Sequence, residues 1–130
     1  MILYGGMLID WRSTKQPTTP RSTAEAEITS LSLGNVILEG VECLLHSMTI
    51  VPKSTLYGDN TASIAVSSGH CTWRTRALTN KSAGINSRVD GGTLALEYVP
   101  TDEQLGDGLT KFLAVPLMNR MRSGFSLYVI

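Results

Sequence analysis

From Arg21 to Val51 no proline interrupts the chain, and the stretch opens on Ser22 and Glu25 at capping-box spacing. That pattern predicts one long helix, and the remaining elements must pack around it. On a wheel of about 100° per residue, Glu27, Leu31, Gly34, Leu38, Val41 and Leu45 fall within about 40° of one line. This is the expected buried stripe, with Glu27 at its N-terminal end. Glu25 lies nearly opposite and is expected to face water.

The flanking segments read as shorter elements. Two apolar runs around Gly5-Gly6 predict a hairpin over residues 1–11. Residues 12–21 form a polar loop with Pro17 and Pro20. Thr55-Leu56-Tyr57-Gly58 is a strand ending at Asp59, and 60–68 is a helix closed by Gly69. Residues 70–92 predict a weak helix broken near Gly84. The alternation of Leu94, Leu96 and Tyr98 with Ala95, Glu97 and Val99 predicts a strand ended by Pro100. Thr101 and Gln104 have capping-box spacing and would open a short helix carrying Asp107. A last helix is expected within 112–124, and the apolar residues 125–130 have strand character. The order of elements indicates an α/β (α+β) fold in a single domain over 1–130.

Composition narrows the function classes. Of 130 residues 42% are hydrophobic and 17% charged, enough apolar surface for a core. Lys and Arg equal Asp and Glu at 11 each, which excludes a strongly basic coat or an acidic tail. No uninterrupted apolar run approaches the roughly 18–20 residues of a membrane helix, so no membrane partner is expected. The start, Met1-Ile2-Leu3-Tyr4-Gly5-Gly6, is unlike a signal peptide. Two cysteines, Cys43 and Cys71, suit a reducing, intracellular setting. Cys43 with His46 and the adjacent His70-Cys71 lack the usual spacing of zinc ligands. Cys43 is expected to pack as a small hydrophobe, and His46 to sit favourably near its helix C-terminus.

Three acids occupy unusual places: Glu27 on an apolar helix face, Asp59 at a strand end, and Asp107 on a helix after a strand. Ionised carboxylates are costly to bury alone. If they converge, oxygen-only ligands suit Mg²⁺, and two such ions can clamp a phosphodiester and activate water. The plainer alternative is that Asp59 caps its helix, Asp107 is solvated and Glu27 pairs with a neighbouring base.

Five blocks carry a family resemblance. They are Asp10-Trp11-Arg12-Ser13-Thr14-Lys15-Gln16-Pro17, Ser22-Thr23-Ala24-Glu25-Ala26-Glu27, Leu56-Tyr57-Gly58-Asp59-Asn60 with Ser63-Ile64-Ala65, Arg74-Thr75-Arg76, and Leu96-Glu97-Tyr98-Val99-Pro100-Thr101 with Gln104-Leu105-Gly106-Asp107-Gly108-Leu109-Thr110-Lys111. In this order and at these distances the chain resembles the ribonuclease H domain of copia-type (LTR) retrotransposon polyproteins. The match covers about 1–115 and leaves 116–130 as a C-terminal extension. The resemblance implies a ribonuclease H-like mixed sheet flanked by helices. It implies hydrolysis of RNA in RNA–DNA hybrids with Mg²⁺ or Mn²⁺, beside the reverse transcriptase portion of the same polyprotein. Glu27, Asp59 and Asp107 match three of the family's four catalytic, metal-holding carboxylates.

The departures are specific. The family's first aspartate stands on a central first strand for which residues 1–130 hold no match. Asp10 matches a variable position and does not replace it. The expectation is therefore an incomplete domain with two unpaired strand edges, inactive as this fragment. Residues 125–130 are one segment that can fill the vacant lane. After Arg76 the family's usual His-Ile-Asp is replaced by Ala77-Leu78-Thr79, and no histidine lies between Thr93 and Thr110.

Basic residues supply the nucleic-acid argument. Arg12, Lys15 and Arg21 precede the long helix, while Arg74, Arg76, Lys81 and Arg88 follow the second. Such patches meet phosphates, and an A-like hybrid is read by backbone shape and 2′-hydroxyls. Trp11, which ends a strand, is expected in the core; Trp73 fits a core or a binding role equally. Two alternatives accompany the nuclease reading. One is a non-enzymatic relic or weak nucleic-acid binder. The other is an integrase or transposase core, disfavoured because those resemble one another in carrying their glutamate on a late helix.

Overall fold

The computed structural model describes residues 1–17, 19–70, 76–106 and 112–124. These fall into two compact units, one formed by residues 1–17 and 101–130 and the other by residues 18–100.

In the first unit, β1 (Ile2–Tyr4) and β2 (Met7–Asp10) form an antiparallel hairpin with Tyr4 opposite Met7. Gly5 and Gly6 both have positive φ, as a two-residue hairpin turn demands. Trp11 lies one residue beyond β2 and is 60% exposed, so the expected core position is corrected: the strand ends before the ring can be carried inward. Thr101–Glu103 is a single 3₁₀ turn rather than the start of a regular helix. The last helix, α4, spans Val115–Gly124.

The second unit is built on α1 (Thr23–Ser47). Ser22 caps it, its Oγ accepting from Glu25 N–H at 3.1 Å, while Glu25 Oε2 accepts from Arg21 N–H at 2.7 Å. The C-terminus is a Schellman turn: Thr49 N–H bonds His46 O and Ile50 N–H bonds Leu45 O, each at 2.9 Å. Thr49 takes the left-handed conformation (φ 63°) that glycine usually fills. On length and composition α1 is also apolar enough to cross a membrane. Counting uninterrupted runs overlooked this, because serines, Gly34 and Asn35 break up its apolar residues. Leu31 and Leu38 serve the core, while 17% of the helix's most apolar stretch is buried.

Next come β3 (Ser54–Gly58), α2 (Thr61–Ser67), α3 (Thr79–Asp90) and β4 (Leu94–Tyr98). β3 and β4 pair in parallel, Ser54 with Leu94 through Gly58 with Tyr98, so α2 and α3 form the crossover. Leu31, Ile85 and Leu94 form the core cluster, with Leu38, Leu56, Val89 and Leu96 packed on it. The mixed α/β character expected from sequence is present. Among the described residues, the strands form two separate two-stranded sheets, β1–β2 and β3–β4.

Three expectations for this unit are corrected. Gly84 does not break a helix: α3 runs through it, and a Cβ there would stand 3.9 Å from Asn35 Nδ2 of α1. Packing against α1 outweighs glycine's helix penalty of about 1 kcal/mol. Cys43 is exposed, not packed as a small hydrophobe. The buried arc of α1 is also wider than the apolar stripe. Ile28 and Asn35 are buried, Asn35 against Arg88 of α3, and Glu25 is not a water-facing residue: its Oε1 receives Lys81 Nζ at 2.8 Å.

Candidate functional site

Three contacts set α1 antiparallel to β3. Ser54 Oγ donates to Glu42, Leu56 Cδ1 lies 3.6 Å from where a Cβ on Gly34 would stand, and Leu31 Cδ2 lies 3.5 Å from one on Gly58. As the strand advances from 54 to 58, the helix positions in contact fall from 42 to 31. Glu27 is one turn beyond Leu31, about 6 Å along the axis. Asp59 is one residue beyond Gly58, about 3.3 Å along the strand. The register therefore brings the Glu27 and Asp59 positions to the same end of the α1–β3 layer.

The immediate surroundings explain why β3 stops there. Gly58 is buried, and a Cβ on it would sit 3.1 Å from Ile64 Cδ1. A Cβ here would push the Ile64 side chain aside by a few tenths of an ångström, and glycine lets Leu31 and α2 close over the strand end without that shift. Asn60 then caps α2, its Oδ1 accepting from Ala62 N–H at 3.0 Å and Ser63 N–H at 3.1 Å. Capping is thus performed by Asn60, and the plainer role considered for Asp59 falls away. Asp59 and Glu27 are both half-buried. Asp107 lies outside the described residues, as does Arg74. Among the described residues no group of three or more His, Cys, Asp or Glu is placed to hold a metal ion.

The basic residues divide by what they touch. Arg12 and Lys15 are exposed in the first unit, and Arg21 and Arg76 are exposed in the second. Lys81 and Arg88, which the sequence grouped with Arg76, are engaged within the fold. Lys81 holds Glu25. Arg88 Nη2 binds both oxygens of Glu42, at 2.6 and 2.7 Å, and Nη1 donates to Asn35 Oδ1 at 2.8 Å. Asn35 Nδ2 in turn donates to Glu39 Oε1 at 2.8 Å. Sequence did not single out Asn35 or Glu42, because polar residues carry no signal in a hydrophobic pattern. The available signal was their seven-residue spacing on one helix, in line with Ile28.

The chain is similar to Ty1 Gag-Pol polyproteins. Against the Saccharomyces cerevisiae Transposon Ty1-DR1 Gag-Pol polyprotein it is 29% identical over 118 residues, 88% of this chain. Against the Truncated transposon Ty1-A Gag-Pol polyprotein of the same yeast it is 30% identical over 116 residues, 87% of this chain. The matched stretch is 7% of the first relative's length and 10% of the second's. No family model matches the chain. No solved structure matches it either. The similarity to Ty1 polyproteins supports retrotransposon ancestry for nearly the whole chain.

Proposed function

We propose that residues 1–130 are a ribonuclease H-like segment of a copia-type retrotransposon polyprotein, acting on the RNA strand of RNA–DNA hybrids. The observation that carries this reading is the α1–β3 register, which puts Glu27 and Asp59 at one end of the layer with Asp59 free of any capping duty. Similarity to Ty1 Gag-Pol polyproteins supports the retrotransposon part of it.

In this reading Glu27, Asp59 and Asp107 hold Mg²⁺ or Mn²⁺; their all-oxygen donor set suits hard divalent cations. When bound, the metal supplies Lewis-acid stabilisation of the phosphate and a water of lowered pKa. The chain's own contribution is to fix the carboxylates on rigid elements, Glu27 on a long helix and Asp59 at a strand end closed by Leu31 and Ile64. Arg12, Lys15, Arg21, Arg74 and Arg76 meet the hybrid's phosphates. A fourth carboxylate has no match within residues 1–130, so hydrolysis requires that group from polypeptide outside this stretch. The reverse transcriptase portion of the same polyprotein is the natural neighbour.

The test is cleavage of the RNA strand in a labelled hybrid, by residues 1–130 joined behind a strand that supplies the fourth carboxylate. Mg²⁺-dependent cleavage is expected, reduced at least about 100-fold by Asp59→Asn. Equal rates for the two proteins would reject the assignment.

One observation favours a second reading, a non-enzymatic relic that binds nucleic acid weakly. The family's first catalytic aspartate has no match within residues 1–130. Thermal melting with millimolar Mg²⁺ separates the two: an unshifted midpoint favours the relic, and a raised one favours a held ion.

A further inference from the structure

Asp59 leads directly into α2, so the placement of that helix governs the placement of the carboxylate. Asn60 caps α2, Ile64 N–H bonds Asn60 O at 3.0 Å, and Ile64 Cδ1 reaches over Gly58. With seven residues α2 is too short to hold its shape alone, and its position depends on its neighbours. It buries Ser63, Val66 and Ser67, while α3, packed against it, buries Ser82 and Ile85. Asn86 of α3 reaches across this contact. With its amide nitrogen toward the backbone it donates to Val66 O at 3.3 Å and to Ser67 O, and to Ser82 O of its own helix at 3.3 Å. The opposite orientation would set the amide oxygen against those carbonyls, so the network fixes which way the amide points. Val66 and Ser67 stand in the last turn of α2, where carbonyls lack donors within their own helix. Asn86 supplies a donor from outside.

We infer that Asn86 is a positioning residue for Asp59, acting through α2. The inference rests on the metal-holding role proposed for Asp59. Asn86 grips the C-terminal end of the helix and Asn60 its N-terminal end, so α2 is a short strut between α3 and the end of β3. Apolar packing sets the distance of a helix from its neighbours. Directional hydrogen bonds also fix its position along and about its own axis. Once the C-terminal end is released, α2 can rotate, Ile64 lifts from Gly58, and Asn60 and Asp59 turn with it. Carboxylates that share a cation must stand within a few tenths of an ångström of their bonding distance. A small rotation of α2 therefore costs affinity before it costs the fold.

Asn86→Leu removes the donor and keeps the volume. On the full chain, hydrogen exchange of the Ile64 amide should quicken at least about ten-fold relative to that of Leu31 in α1. Mn²⁺ titration followed by broadening at Asp59 should show affinity lowered at least about three-fold. Leu38→Ala separates positioning from general loosening: it removes a side chain packed on the core and should leave Mn²⁺ affinity unchanged. Unchanged Ile64 exchange in Asn86→Leu would overturn the inference, whatever the metal does. Faster exchange with wild-type Mn²⁺ affinity would also overturn it, by making the Asn86 contact purely structural, as would an equal loss of affinity in Leu38→Ala. A wild-type chain showing no Mn²⁺ broadening at Asp59 would reject the proposed function itself, and the inference would fall with it.

Discussion

Leu31 closes over Gly58: its Cδ2 lies 3.5 Å from the point where a Cβ on that glycine would stand. This approach sets the height of α1 on β3, and therefore where Glu27 stands relative to Asp59. Gly58→Val would force the branched side chain against Leu31 and against Ile64 at 3.1 Å. Overpacking of this kind costs about 1–3 kcal/mol. Urea denaturation should show that loss, together with weaker metal binding.

Arg88 is the centre of the α1–α3 interface. Its side chain is 14% exposed and that of its partner Glu42 is 15% exposed. Arg88→Met removes the cation, leaving Glu42 with the Ser54 hydroxyl but no counter-charge from α3 and Asn35 Oδ1 without the Arg88 donor. Breaking a buried pair from one side costs about 3–5 kcal/mol. The double variant Arg88→Met/Glu42→Leu should recover much of that loss, and a double-mutant cycle in denaturant measures the coupling.

Much of this architecture was legible in the sequence. The capping box at Ser22, the turn at Gly5-Gly6 and the alternation from Leu94 to Tyr98 are local signals, and each produced its expected element. What was not legible depended on tertiary partners. Asn35 and Glu42 are polar, so a hydrophobic pattern cannot place them inward; their burial depends on partners such as Ser54 and Arg88, far along the chain. Gly84 looked like a helix breaker until the neighbouring α1 is considered. The site shows the same division. Asp59 at a strand end was readable from Tyr57-Gly58-Asp59-Asn60, but its relation to Glu27 required the register between two distant elements.

Glu25 links α1 to α3 through Lys81, and its carboxyl is held below the ordinary glutamate range. The Lys81 hydrogen bond is the main cause, followed by that from Arg21 N–H. A group whose pKa is lowered by folding stabilises the native state above its unfolded value. That contribution is lost as pH falls through the folded value. Wild type should therefore exceed Lys81→Met in stability at neutral pH, and the gap should close on acidification below the ordinary glutamate pKa. Chemical denaturation at stepped pH gives the comparison; a gap independent of pH would exclude this link.

Thr49 ends α1 in a left-handed conformation (φ 63°) that a β-branched residue adopts at a cost. Gly69 and Gly92, at positive φ after α2 and α3, occupy the matching positions without that cost. Thr49→Gly should raise stability by about 0.5–1 kcal/mol, visible as an increased melting temperature. Thr49→Val, which cannot relax the backbone, should not.

Metal placement is tested most directly by adding substoichiometric Mn²⁺ to the ¹⁵N-labelled chain and following paramagnetic broadening of its amide resonances. Signals at and beside Glu27, Asp59 and Asp107 should broaden first, and Asp59→Asn should abolish the effect at all three. Broadening centred on other acidic residues, such as Glu39, Asp90 or Asp102, with Glu27 and Asp59 left sharp, would contradict a shared cation site.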